Sequence, residues 1–191
     1  MCVKHYLGGI AGMLLFAFHA MAQEVPMRHN PRIDLNLNPR SNLQINPVSN
    51  VRINPKLNWN INPFHTEKLN PAYNQAINPQ NNPVFNPNSN RTLNPMYQNS
   101  LFPKNPAWRG LYLYDSTDNL KGYITIASQD IMLLFDAGSY EWAGYFVKAS
   151  PILYNLFDLK GAYTGQFLCS DSRSGYNLFN KEGEWTGEHI K

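Results

Sequence analysis

Four positions, each two residues ahead of a glycine, carry the side chains best suited to chemistry. They are Leu120, Trp142, Tyr163 and Trp185, preceding Gly122, Gly144, Gly165 and Gly187. The chemistry open to such a column is recognition: an exposed aromatic face stacks on a sugar ring or attracts a cation. Trp142, Tyr163 and Trp185 are therefore the candidate ligand-binding residues. Packing between repeats is the commoner use of such rings and competes with that reading.

Catalytic chemistry has little to draw on. His5, His19, His29, His65 and His189 lie far apart, and none has a metal-ligand spacing. No nucleophile elbow, phosphate-binding loop or dinucleotide fingerprint occurs. Asp115, Asp136 and Asp158 recur as turn starters. Asp115, Asp118 and Asn119 come nearest to a calcium set, without the pattern of an EF-hand. No catalytic residue, metal ligand or cofactor is expected, and the chain reads as a non-enzyme.

The aromatic column belongs to a repeat of 21–22 residues covering 110–191. Its anchors are Leu113-Tyr114-Asp115, Leu134-Phe135-Asp136, Leu156-Phe157-Asp158 and Leu178-Phe179-Asn180. Each unit predicts a β-hairpin. Asp158 and Asn180 start turns, and Gly161 and Gly183 stand where φ must be positive. Asp118 takes that place in the first unit. Strands rich in Tyr, Phe, Leu and Ile flank the turns, giving about eight short strands. Both members of each Leu-aromatic pair are apolar, so the strand before each turn is expected to bury parts of both faces. The fold class is all-β: a small repeat domain, either a hairpin solenoid or a small closed barrel, preceded by a largely irregular Asn-Pro tract.

The segments Tyr154-Asn-Leu-Phe-Asp-Leu-Lys-Gly-Ala-Tyr-Thr-Gly165 and Tyr176-Asn-Leu-Phe-Asn-Lys-Glu-Gly-Glu-Trp-Thr-Gly187 resemble choline- and glucan-binding cell-wall repeats. They are about as similar to MORN-type repeats, another family of tandem hairpins. The resemblance covers 110–191 and implies a module that binds envelope glycans or proteins. A choline cage typically takes Trp at two positions per site, whereas this column holds Trp only at Trp142 and Trp185.

Residues 23–109 follow a different rule. Asn-Pro pairs recur every eight residues from Asn30-Pro31 to Asn94-Pro95, in nine units of N-P-x-x-N-x-x-[IL]. Asn followed by Pro starts a turn, and Pro at this spacing excludes a helix. One aliphatic residue per octad supplies less burial than the backbone entropy of ordering eight residues costs. A flexible spacer is the expectation, with a stacked-turn solenoid as the alternative. Nine equivalent units would also give avidity for a repetitive partner, or a route to self-association.

Residues 1–22 have the layout of a secretory signal: Lys4, an apolar run from Tyr6 to Phe18, and Ala20-Met21-Ala22 before Gln23. Export to the periplasm, cell surface or medium is expected, with no transmembrane anchor after cleavage. Residues 23–109 carry nine Lys/Arg against three Asp/Glu, and 110–191 carry six against ten. A basic stretch joined to a mildly acidic domain suggests a polyanionic partner for the former, such as an envelope polymer or nucleic acid. The charges never form dense runs, so plain solubility is the commoner reading and no convincing nucleic-acid site is expected. Cys169 would remain as a single thiol, read as a small buried apolar residue. The function expected is an exported binding module recognising an envelope glycan or protein through its β domain. The alternative is a self-assembling envelope protein.

Overall fold

The computed structural model describes residues 29–97, 110–173 and 175–191. The signal segment 1–22 lies outside these. Eight antiparallel strands follow one another around a closed barrel: β1 (Leu111–Tyr114), β2 (Leu120–Ile126), β3 (Ile131–Asp136), β4 (Trp142–Ser150), β5 (Leu153–Phe157), β6 (Tyr163–Ser170), β7 (Tyr176–Phe179) and β8 (Trp185–Ile190). Pairing of Leu113 with Ile190 and of Tyr114 with His189 closes the ring. No sheet edge is left open. The protein is all-β, with the small barrel rather than the open solenoid.

Each repeat unit is one hairpin, and in the first, third and fourth the turn chemistry follows the sequence, whereas the second turn puts Tyr140 at a φ of 61°. Asp118, Gly161 and Gly183 have φ of 65°, 81° and 86°. The side chains of Asp115, Asp158 and Asn180 each accept the backbone N–H groups two and four residues on. These turns are self-capped, so the strands enter and leave at fixed register.

Both faces of the barrel wall are apolar. Leu113, Ile124, Met132, Phe146, Leu156, Leu168, Leu178 and Ile190, one from each strand, meet in a single cluster that fills the interior. The alternate residues point outward yet are buried too. Leu133, Phe135, Tyr145 and Phe157 form one outer cluster, and Leu153, Phe167, Cys169 and Phe179 another. All five residues of β5 are buried.

What covers the outer face is the octad tract. The expectation of a flexible spacer is corrected here: residues 29–97 form a continuous belt of short turns laid on the barrel. Each octad is two four-residue turns, one opened by the Asn of Asn-Pro and one by the fifth residue. In the third octad, Ser49 and Asn50 donate to the Asn46 carbonyl, and Ile53 donates to Asn50. Six of the second turns are regular 3-10 turns, from Leu43–Ile45 to Arg91–Leu93.

The amide of Asn explains both columns, because it accepts and donates at once. Asn62 Oδ1 accepts the Phe64 N–H at 2.8 Å within its own turn, while its Nδ2 donates to the Pro55 carbonyl of the preceding octad at 2.8 Å. Asn42, Asn50, Asn58, Asn74, Asn82 and Asn90 reach back six residues in the same way. Thr66 has one hydroxyl for the task. It donates to Trp59 and leaves its own turn without a side-chain cap.

Each octad buries more than its one aliphatic residue, which is why the tract is ordered. The second-position proline is buried in every octad, from Pro31 to Pro95. Proline also restricts the unfolded chain, so less entropy is lost on folding. The aliphatic column lies on the outer clusters: Ile53 and Ile61 join Leu153, Phe167, Cys169 and Phe179, and Ile77, Phe85 and Leu93 pack against the β2–β5 cluster.

Belt and barrel share a register. Asn30 Nδ2 donates to Asp118 Oδ2 at 2.9 Å in the first hairpin's turn. A Cβ on Gly183, the equivalent position in the fourth hairpin, would stand 2.7 Å from Asn54 Nδ2, and one on Gly161 in the third would stand 3.5 Å from Asn78 Nδ2. Asn177 Nδ2 donates to the Leu37 carbonyl at 3.0 Å, and Asn155 Nδ2 to the Ile61 carbonyl at 2.9 Å. Between the fourth and third hairpins, a step of 22 residues along the barrel matches a step of 24 along the belt, three octads per hairpin. The same 24-residue step carries the belt from the first hairpin to the fourth, across the closure of the ring. The belt thus runs against hairpin order, touching the first, fourth and third in turn.

Candidate functional site

The shared register builds two clefts of the same design. In the first, of about 480 Å³, Tyr163 at the start of β6 meets Lys56, Asn62 and Phe64 of the belt and Lys181 and Glu182 of the β7–β8 turn. The Phe64 ring stands edge-on to Tyr163 at 5.5 Å and is 70% exposed. In the second, of about 470 Å³, Trp185 at the start of β8 meets Pro39, Arg40, Asn46 and Val48 of the belt and Glu184. The Arg40 guanidinium lies 5.7 Å from the centre of the Trp185 ring, a cation–π pair. Tyr163 and Trp185 are equivalent column positions. Phe64 and Arg40, 24 residues apart, are both third residues of an octad.

The three predicted ligand-binding residues are therefore not gathered into one cage. Tyr163 and Trp185 each border their own cleft, both half-buried. Trp142 is 8% exposed, packs with Tyr145 and its neighbours in the outer cluster, and donates its indole N–H to the Gly144 carbonyl at 2.8 Å. It serves packing. The Trp185 indole donates to the Glu188 carbonyl at 3.0 Å, which fixes the ring at the cleft wall. Burial pushes the Tyr163 hydroxyl pKa up, so the phenol is neutral across the physiological range.

The acidic residues of the first hairpin are taken up by local structure. Asp115 accepts from the Thr117 and Asn119 N–H groups and from the Thr117 hydroxyl. Slight burial works to raise its pKa, but these hydrogen bonds outweigh it and lower the value to about 2. Asp118 Oδ2 accepts from Asn30 and, at 3.4 Å, from Arg32, pinning the start of the belt. Among the described residues no group of three or more His, Cys, Asp or Glu side chains is arranged to hold a metal ion, and no helix is long and apolar enough to cross a membrane. Cys169 is buried and free, its thiol pKa pushed up by burial and its sulfur 3.7 Å from the Ile53 carbonyl.

Several site residues escape sequence reasoning. Asn155 and Asn177 bind the belt, and their signal was present: an Asn at the same place in two otherwise apolar strands, Tyr154-Asn-Leu-Phe157 and Tyr176-Asn-Leu-Phe179, needs a hydrogen-bond partner if buried. Lys56, Phe64 and Arg40 had no such signal, because the third octad position varies freely.

No protein-family model matches this chain, and no curated protein or solved structure matches it. The molecule is defined by its own architecture: a closed hairpin-repeat barrel girdled by an Asn-Pro belt, with aromatic clefts where the two cross.

Proposed function

We propose that this protein is an exported, non-enzymatic binding module that engages an envelope glycan through the clefts at Tyr163 and Trp185. One observation carries the reading. Two open clefts repeat the same construction, each with a barrel aromatic on one wall and belt side chains on the other. Aromatic faces bordering open, partly polar clefts suit the apolar face of a sugar ring, and repeated clefts suit a repeating polymer. The belt contributes one wall of each cleft and is not a spacer in this reading. Export rests on the signal-like residues 1–22.

The test is co-sedimentation of the full chain with purified insoluble cell wall across a salt series. Wild-type protein should pellet, and the Tyr163→Ala/Trp185→Ala double variant should stay in solution while keeping its far-ultraviolet circular dichroism. Equal pelleting of both, or none of the wild type, would remove the reading.

A second reading, self-association, has its own observation. Among the described residues, twelve of the fifteen large apolar side chains that are exposed lie on the belt, Trp59, Phe64 and Tyr73 among them. Such a surface is a candidate interface. A mass in light scattering that rises with concentration would favour assembly, and a strict monomer would exclude it.

A further inference from the structure

We infer that the cleft at Tyr163 takes an acidic glycan, with the sugar's carboxylate held by Lys56 and Lys181 while the Tyr163 and Phe64 rings take its apolar face; this rests on the glycan reading above. The two lysines come from opposite walls, one from the belt and one from the β7–β8 turn, and both line the same open cleft. Lys56 makes no ion pair among the described residues. Lys181 approaches Glu182 at 3.9 Å, but the two side chains are 75% and 45% exposed, so water and salt weaken that pair. A carboxylate meeting both ammonium groups would gain charge-assisted hydrogen bonds that the loose Lys181–Glu182 pair does not supply.

The wider field points the same way. Described belt residues carry six Lys/Arg, which are Arg32, Arg40, Arg52, Lys56, Lys68 and Arg91, against Asp34 and Glu67 alone. A basic belt raises the local concentration of an anionic polymer before any cleft is filled. Phe64 supports the sugar. It is a large aromatic 70% exposed, at the octad position that holds Arg32, Arg40 and Lys56 elsewhere, and it borders the Tyr163 ring. A flat apolar patch beside two cations suits a pyranose bearing an acid better than a lipid chain, which would need a deeper apolar groove.

The experiment compares binding of the full chain to purified insoluble wall with binding to the same wall after its carboxylates have been converted to amides. Wild-type protein should lose roughly tenfold in affinity on amidation, the loss expected for one charge-assisted contact. In salt that screens the field of the remaining belt cations, the Lys56→Gln/Lys181→Gln variant should bind untreated wall about as weakly as wild type binds amidated wall, and be insensitive to amidation. Arg52→Gln/Lys68→Gln, which removes equal charge outside the cleft, should keep the full sensitivity. Equal binding of wild type to both walls would overturn the acidic specificity and leave the glycan reading standing. Sensitivity that survives in Lys56→Gln/Lys181→Gln would overturn the assignment to this cleft. Failure to bind untreated wall would remove both the glycan reading and this inference.

Discussion

Replacing Asn62 with Asp tests whether the belt is held by its side-chain amides. Asn62 is 7% exposed, and its two hydrogen bonds are both 2.8 Å long. Asp keeps the size and the acceptor for the Phe64 N–H, and loses only the donor to the Pro55 carbonyl. That carbonyl then sits unsatisfied, costing about 1–3 kcal/mol, and faces a carboxylate oxygen at hydrogen-bond distance. The loss at neutral pH is about 1.4 kcal/mol for each unit by which the folded state raises the new carboxyl's pKa above its unfolded value, so a rise of about two units gives a loss of about 3 kcal/mol. Asn60→Asp, at an exposed position in the adjoining turn, should change stability by less than about 0.5 kcal/mol. Urea unfolding followed by tryptophan fluorescence reads both, because Trp59 lies on the belt, stacked on His65 at 4.7 Å. The sign with pH is set by the introduced carboxyl, whose pKa is raised in the folded state of the Asn62→Asp variant. Its protonated form can donate to Pro55 as the amide did, so the gap to wild type should close below about pH 4 and open as pH rises. An Asn62→Asp variant as stable as Asn60→Asp at neutral pH would refute the amide ladder and return the tract to a loosely attached spacer.

Two further outcomes follow from the belt's attachment to the barrel. His189 is fully buried, its Nε2 4.0 Å from Asp118 Oδ1, and burial holds its pKa below the ordinary value even though Asp118 pulls it upward. The unfolded chain binds that proton more readily, so stability should be full above about pH 6.5 and fall as pH drops through the folded value; melting temperatures of His189→Gln should show a flatter pH profile, and an unchanged slope would exclude His189 as the source. Gly183→Ala combines a φ of +86° with a Cβ 2.7 Å from Asn54 Nδ2, whereas Gly161→Ala meets nothing nearer than 3.4 Å at a φ of +81°. Both should lose about 1 kcal/mol from the backbone, and chemical denaturation should find Gly183→Ala the less stable of the two, with the reverse order counting against belt contact at that turn.

The hairpins were legible because their signals are local. Asp158 with Gly161, and Asn180 with Gly183, specify a turn whatever surrounds them, and the apolar pairs beside them announce strands buried on both sides. What could not be read was the thing that buries the outer face. The octad tract has no hydrophobic periodicity of its own that would fold it alone, and its prolines read locally as breakers. Only against the barrel do Pro55 and Ile61 become a buried pair, and only with a neighbouring octad in place does Asn62 have a carbonyl to reach. Trp142 shows the same limit at the candidate site. Its column position matches Tyr163 and Trp185, but in the outer cluster it is covered, and nothing within its own repeat unit distinguishes a covered ring from an open one. One feature of the tract did carry the answer. A spacer tolerates insertions, so it has no use for an unbroken eight-residue phase. A belt that must bring Asn30, Asn54 and Asn78 to successive hairpin turns, and the Leu37 and Ile61 carbonyls to Asn177 and Asn155, loses that match with one residue gained or lost between them. The strict phase of the octads is thus the trace, within the first half of the chain, of the barrel built by the second.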